Sequence, residues 1–189
     1  MLIEAYGMQL EMETRAASPV VSAGTALGVT AADILAMVSC YASDGMGFYY
    51  KGDLVNAAAS LAYGCGWLDA GISLGYIGGR TVSPLPVMAD EIPASLQDHL
   101  MEKTHRYQWM LSEALASVVA LPDPEIPLRH AAQNIGAAAV AGLTEGTTYL
   151  DVGDLVNALS FFSYGYGWLD CGVRAGLFGI IGDRHLFSI

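Results

Sequence analysis

GDLVNAAASLAYGCGWLDAGISLGYIG, residues Gly52–Gly78, returns without a gap as GDLVNALSFFSYGYGWLDCGVRAGLFG at Gly153–Gly179. Of the 27 positions 15 are identical, where unrelated segments would share about two. The chain therefore carries a duplication at an offset of 101 residues. At 100° per residue on a helix, Asp53, Ala57, Ser60, Gly64, Gly71, Gly75 and Gly78 fall in one stripe of small side chains. Asn56, Tyr63 and Trp67 border it on one side, and Leu54, Leu61, Leu68 and Ile72 on the other. The second copy repeats the stripe with Asp154, Ala158, Gly165, Gly172, Gly176 and Gly179, and only Phe161, opposite Ser60, interrupts it. Its borders are Asn157, Tyr164 and Trp168 against Leu155, Phe162, Leu169 and Val173.

An interior glycine costs a helix about 1 kcal/mol relative to alanine. Gly64, Gly71, Gly75, Gly165, Gly172 and Gly176 in register therefore require a compensating contact, and the expectation is a second helix laid very close. The alternative use of the same shape is a slot for a small ligand, lined by the aromatic border.

Working outward, Ser18-Pro19 ends a short first helix begun near Leu2. Thr30 with Asp33 reads as the start of a second helix, and Gly52-Asp53 as the turn and N-cap of the repeated one. RTVSPLPVMADEIP, from Arg80, has three prolines and no period, so it reads as a linker. Ser95 restarts an amphipathic helix to about Ala120, LPDPEIP stops it, and a helix over about 128–149 leads into the second repeated helix, expected to run to about Ile181. The expectation is an all-α protein of two tandem three-helix bundles packed about a pseudo-two-fold axis. Its divisions are 1–80, a linker over 81–94, and 95–189.

The 189 residues are 53% hydrophobic and only 14% charged, with net charge −11. Such a chain repels phosphate backbones, and no basic patch argues for nucleic acid. Low charge on an apolar chain suggests an apolar face covered by a partner or a second copy. Ala16–Ala42 carries the single charge Asp33, but Asp69 and Asp170 inside the repeated helices would each cost about 2.5–3.5 kcal/mol at a bilayer centre, so no membrane span is expected. The N-terminus does not read as a secretory signal. Cys40, Cys65 and Cys171 are odd in number and widely spaced, as in a reducing cytoplasm.

The signature GD-L-V-N-A followed by Y-G-x-G-W-L-D-x-G and a further glycine resembles the archaeal family catalogued as domain of unknown function 357. The resemblance covers Leu128–Ile181 and Thr30–Gly79 best, and it weakens over residues 1–29. It implies a three-helix bundle in an intracellular archaeal protein, and it supplies no catalytic residues.

Asp53 and Asp154 read as helix caps. Asn56, Tyr63, Trp67 and Asp69, with Asn157, Tyr164, Trp168 and Asp170, are the ligand or interface candidates. Asp69 and Asp170 point 140–160° away from the small stripe, an outward direction that argues against their meeting as an acid–base pair, and Arg174 stands four residues after Asp170 as a helical ion-pair partner. The four histidines lack metal-ligand spacing, so neither a metal nor a cofactor is expected. No nucleophilic set or phosphate loop is present, and an enzyme is not the favoured reading. The favoured function is a cytoplasmic protein-interaction or scaffold module that self-associates; the alternative is a binding protein for a small apolar or aromatic ligand held between the two repeated helices.

Overall fold

Each half of the chain is three helices closed by a two-stranded ribbon, in a computed structural model that describes residues 1–188. The first half has α1 (Ile3–Ala16), β1 (Ser18–Pro19), α2 (Ala26–Tyr50), α3 (Leu54–Ser73) and β2 (Ile77–Gly78). The second has α4 (Gln97–Ala116), β3 (Val118–Ala120), α5 (Pro127–Asp151), α6 (Leu155–Arg174) and β4 (Phe178–Ile180). Both bounds of α2 and α3 recur in α5 and α6 after 101 residues, so the duplication is structural as well as textual.

Local chemistry sets the ends. Asp53 and Asp154 each accept the backbone N–H three residues on, at 3.0 and 3.2 Å, satisfying an orphan donor of the first turn. The glycines before them, Gly52 and Gly153, have φ of +80° and close the tight turn from the preceding helix. Helix α2 starts one turn earlier than the sequence suggests: Thr25 is the cap, accepting from the Gly28 N–H at 3.1 Å, while the Thr30 hydroxyl bonds back to the Ala26 carbonyl inside the helix. The α1 N-terminus borrows its cap from the connection between the halves, where the Asp90 carboxylate accepts from Ile3 N–H at 2.8 Å.

The repeated helices are shorter than expected. Gly75 and Gly176 are not close-packing positions; they take φ of +70° and +73° just beyond α3 and α6 and turn the chain out of the helix. Past these turns the backbone is extended: β2 pairs with β1 and β4 with β3, both antiparallel. Helix α4 accordingly ends at Ala116 rather than Ala120.

Along the stripe, a side chain on Gly71 would meet Ile34 of α2 at 2.9 Å, and one on Gly165 would meet the Ala139 carbonyl and Gly142 Cα of α5 at 2.9 and 3.2 Å. The neighbour at short range is thus each half's own middle helix. The most extensive helix–helix contact in the molecule lies elsewhere, between α3 and α6, which join the halves. They cross at Gly66 and Gly167, whose Cα atoms are so near that a Cβ on either would stand 2.3 Å from a carbonyl oxygen of the opposite helix. The connection over 81–94 is packed down rather than free, with Leu85, Met88 and Ile92 buried.

Candidate functional site

The α3–α6 seam places four of the residues singled out from the sequence in a reciprocal arrangement. Tyr164 of α6 donates its hydroxyl to the Asp69 carboxylate at 2.8 Å, and Tyr63 of α3 donates to Asp170. Asp69 and Asp170 are both fully buried. Their direction away from the glycine stripe points into the interface between the halves, not to solvent, so the outward reading is corrected. Nor does Arg174 pair with Asp170; it reaches across to Asp33 of the first half.

The pair is chemically unequal. Asp69 is met by the Arg80 guanidinium at 2.6 Å, and Arg80 also binds Glu13 at 2.7 Å, so the residue leaving the first half clamps α3 to α1. Among the described residues Asp170 has no cation beside it; besides Tyr63, the Ser188 N–H stands 3.4 Å from the same carboxylate oxygen, and its second oxygen has no partner there. Burial raises the pKa of both carboxyls, opposed in Asp69 by Arg80 and in Asp170 by Tyr63, and Asp170 is pushed up to about 6. Burial likewise holds Tyr63 and Tyr164 well above the usual phenol range, so both hydroxyls stay protonated donors at neutral pH.

This burial has a pH signature. An unfolded aspartate titrates near about 3.9, whereas folded Asp170 keeps its proton to about 6. Between those values the folded state binds more protons, so this group's contribution to stability falls as pH rises from about 4 to about 6. Asp170→Asn keeps an acceptor for Tyr63 and removes the titration. The unfolding free energy of wild type minus that of the variant should therefore drop by on the order of 2 kcal/mol between pH 4 and pH 6.5. Urea unfolding at several pH values measures it, and a flat difference would contradict the burial of this charge.

Asn56 and Asn157, the polar members of the aromatic border, are occupied elsewhere. Asn56 bonds Asp53 and accepts from Lys103 of α4. Asn157 holds the connection between the halves, accepting from Met88 N–H at 2.7 Å and donating to its carbonyl at 3.1 Å. Both brace neighbouring segments of the chain. Trp67 lies buried in the core, its ring centroid 6.4 Å from that of Tyr63.

Tyr164 and Trp168 instead line an open apolar groove of about 590 Å³ between α5 and α6. Ala138, Ala141 and Gly142 form one wall, the rings of Phe161, Tyr164 and Trp168 the other, and Val82–Leu85 of the connection close one side. The size lies within the usual range for a small-molecule site. The recesses found on the first half lie against α1 and not at the equivalent place, and the duplication shows why. The positions equivalent to Ala138, Ala141 and Gly142 are Met37, Cys40 and Tyr41. The Tyr41 ring occupies that space, 4.5 Å centroid to centroid from Tyr63. The sequence places a ligand between the two repeated helices, but α3 and α6 meet there backbone to backbone; the groove that Tyr164 and Trp168 line faces α5 instead, and its signal was this exchange of large for small residues between the two middle helices.

Among the described residues, no cluster of three or more His, Cys, Asp or Glu is gathered that could hold a metal. Cys65 is buried beside Asp69, and burial pushes its thiol up to about 12, so it is not a thiolate nucleophile.

Comparison with known proteins finds no matching curated protein and no matching solved structure. The family model described as protein of unknown function DUF357 matches twice, over residues 5–77 and 106–178. These matches take in α3 and α6 whole, with the tyrosines and aspartates of the seam, and together span most of the chain. The protein therefore belongs to the DUF357 family, with two copies of its domain in tandem.

Proposed function

We propose that the protein binds a small aromatic molecule in the groove between α5 and α6, with the first half serving as its support. The observation that carries this is the contrast between equivalent sites: where Tyr41 packs its own ring against Tyr63, tilted by 58° to it, the second half presents Tyr164 and Trp168 to an open groove. A ligand ring stacked on Tyr164 would take the place that Tyr41 fills internally, burying apolar area on both partners. The reading is of a binding protein and not an enzyme, because the polar groups lining the groove are the Tyr164 hydroxyl, already donated to Asp69, the Ser83 hydroxyl and the exposed Glu145 carboxylate, with no hydrogen bond joining Ser83 to Glu145 as nucleophile and base among the described residues. An archaeal, cytoplasmic setting is part of the proposal, from the resemblance and the acidic, cysteine-poor composition.

The test is calorimetric titration with a neutral two-ring aromatic, 2-naphthalenemethanol. A dissociation constant of about 1 mM or tighter is expected from typical binding energy per ligand atom. Ala138→Phe, which fills the groove from its α5 wall, should abolish binding while leaving the helical circular dichroism unchanged. Absence of binding at several times that concentration, or binding that survives Ala138→Phe, would overturn the proposal.

A second reading, self-association as an interaction module, is favoured by one observation. The outer face of α1 exposes Met8 and Met12, 59% and 64% accessible, above an apolar recess of about 630 Å³. Light scattering that gives a monomer at high micromolar concentration would remove it.

A further inference from the structure

We infer that the ligand of the α5–α6 groove carries a positive charge, an ammonium attached to its aromatic body and seated beside Glu145. The inference rests on the binding role proposed above and adds the chemical class of the ligand.

The charge around the groove is one-sided. Among the residues lining it, Glu145 is the only ionisable side chain besides the protonated Tyr164, and no Lys, Arg or His takes part. Glu145 makes no ion pair among the described residues. It stands on α5 seven residues after Ala138, three after Gly142 and four after Ala141, so it continues the small wall by about one helical turn and lines the same groove. Phe161 lines that same groove from α6 and is stacked on Tyr149 with centroids 5.3 Å apart.

Rings with a carboxylate at one end form the setting in which an organic cation is favoured. The ring faces attract it through their quadrupoles, the carboxylate supplies the counter-charge, and apolar walls hold the body. An anionic ligand of the same shape meets the opposite balance, since it would approach Glu145 within a chain of net charge −11. The first half retains an acid at the equivalent place, Asp44, but has Ser60 in place of Phe161 and Tyr41 in the groove itself, so ring and space coincide with the acid only in the second half.

Three probes sharing one body separate the charge from the groove: 2-naphthylmethylammonium, 2-naphthalenemethanol and 2-naphthoate, titrated calorimetrically at pH 7 and low salt. The ammonium should bind about three- to tenfold tighter than the alcohol, and the naphthoate weakest, as expected for a partly exposed ion pair joined to a cation–π contact. Glu145→Gln, a change at an exposed position, should bring the ammonium to the level of the alcohol and leave the alcohol unchanged; Phe161→Ser should reduce the same preference. Equal affinities for ammonium and alcohol in the wild type, or a preference that survives Glu145→Gln, would overturn the assignment of charge while leaving the groove as a neutral aromatic site. Failure of all three probes to bind would overturn both readings together.

Discussion

Gly167→Ala should destabilise the protein by about 2 kcal/mol, although the same change in an unobstructed helix stabilises. The new Cβ would stand 2.3 Å from the Tyr63 carbonyl oxygen and 3.1 Å from Gly66 Cα. Both are backbone atoms of the opposing helix, so no side chain can rotate to make room, and α3 and α6 must separate. Overpacking of this kind costs about 1–3 kcal/mol, here at the upper end, and alanine's better helix propensity returns about 1. Separation also stretches the two tyrosine–aspartate bonds that flank the crossing. Gly47→Ala provides the opposite sign: a Cβ there meets nothing within 4 Å, so it should stabilise by about 0.5–1 kcal/mol. Gly66→Ala should match Gly167→Ala, since its Cβ would lie 2.3 Å from the Tyr164 carbonyl. The double variant should cost clearly less than the sum, because one displacement of the two helices relieves both clashes. Guanidinium unfolding of the four variants reads all of this, and additive costs at Gly66 and Gly167 would mean that the halves do not meet there.

The seam also explains what could be read from the sequence and what could not. The gapless repeat, the caps at Asp53 and Asp154, and the packing need of Gly64, Gly71, Gly165 and Gly172 are local or periodic features, and they are legible on a helical wheel. A wheel, however, invites the choice of one buried face. Helix α3 has two, one against α2 through its glycines and one against α6 through Tyr63, Gly66 and Asp69. The available signal was that the face opposite the glycines carries Ala59, Ala62, Cys65 and Ala70 around Asp69, almost without polar neighbours, and a helix apolar all round is a buried one. The ribbons β1–β2 and β3–β4 are two or three residues per strand, too short for any alternation to register. The groove depends on differences between α2 and α5, outside the stretch where the repeat is strong. Its wall, Ala138, Ala141 and Gly142, gains meaning only once the two helices are superposed in register and Tyr41 is seen to fill the equivalent space.

Arg80→Met carries the other large effect. Asp69 is inaccessible to water and its carboxyl is held by Arg80 at 2.6 Å and by the Tyr164 hydroxyl at 2.8 Å. Methionine keeps much of the volume of arginine and removes the charge, leaving a buried carboxylate with neutral donors alone, the Tyr164 hydroxyl and the weaker Cys65 thiol. Removing one member of a buried pair costs about 3–5 kcal/mol, and because Arg80 also holds Glu13 the connection should loosen from α1 as well. The loss depends on pH in a direction that separates charge from packing. Burial already raises the Asp69 pKa against the opposing pull of Arg80, and without that cation it rises further. The folded variant then binds a proton in a range where its unfolded chain does not, so its stability relative to wild type should recover as pH is lowered from neutral toward about 4. Arg80→Met combined with Asp69→Leu removes the stranded buried charge and leaves unpaired the neutral Tyr164 hydroxyl and Cys65 thiol, with Glu13 losing its partner in both variants alike, so the double variant should be more stable at pH 7 than Arg80→Met alone. If the single variant loses the same free energy at pH 4.5 as at pH 7, or if adding Asp69→Leu costs stability, then Arg80 acts through its packing and not by neutralising the buried carboxylate of the seam.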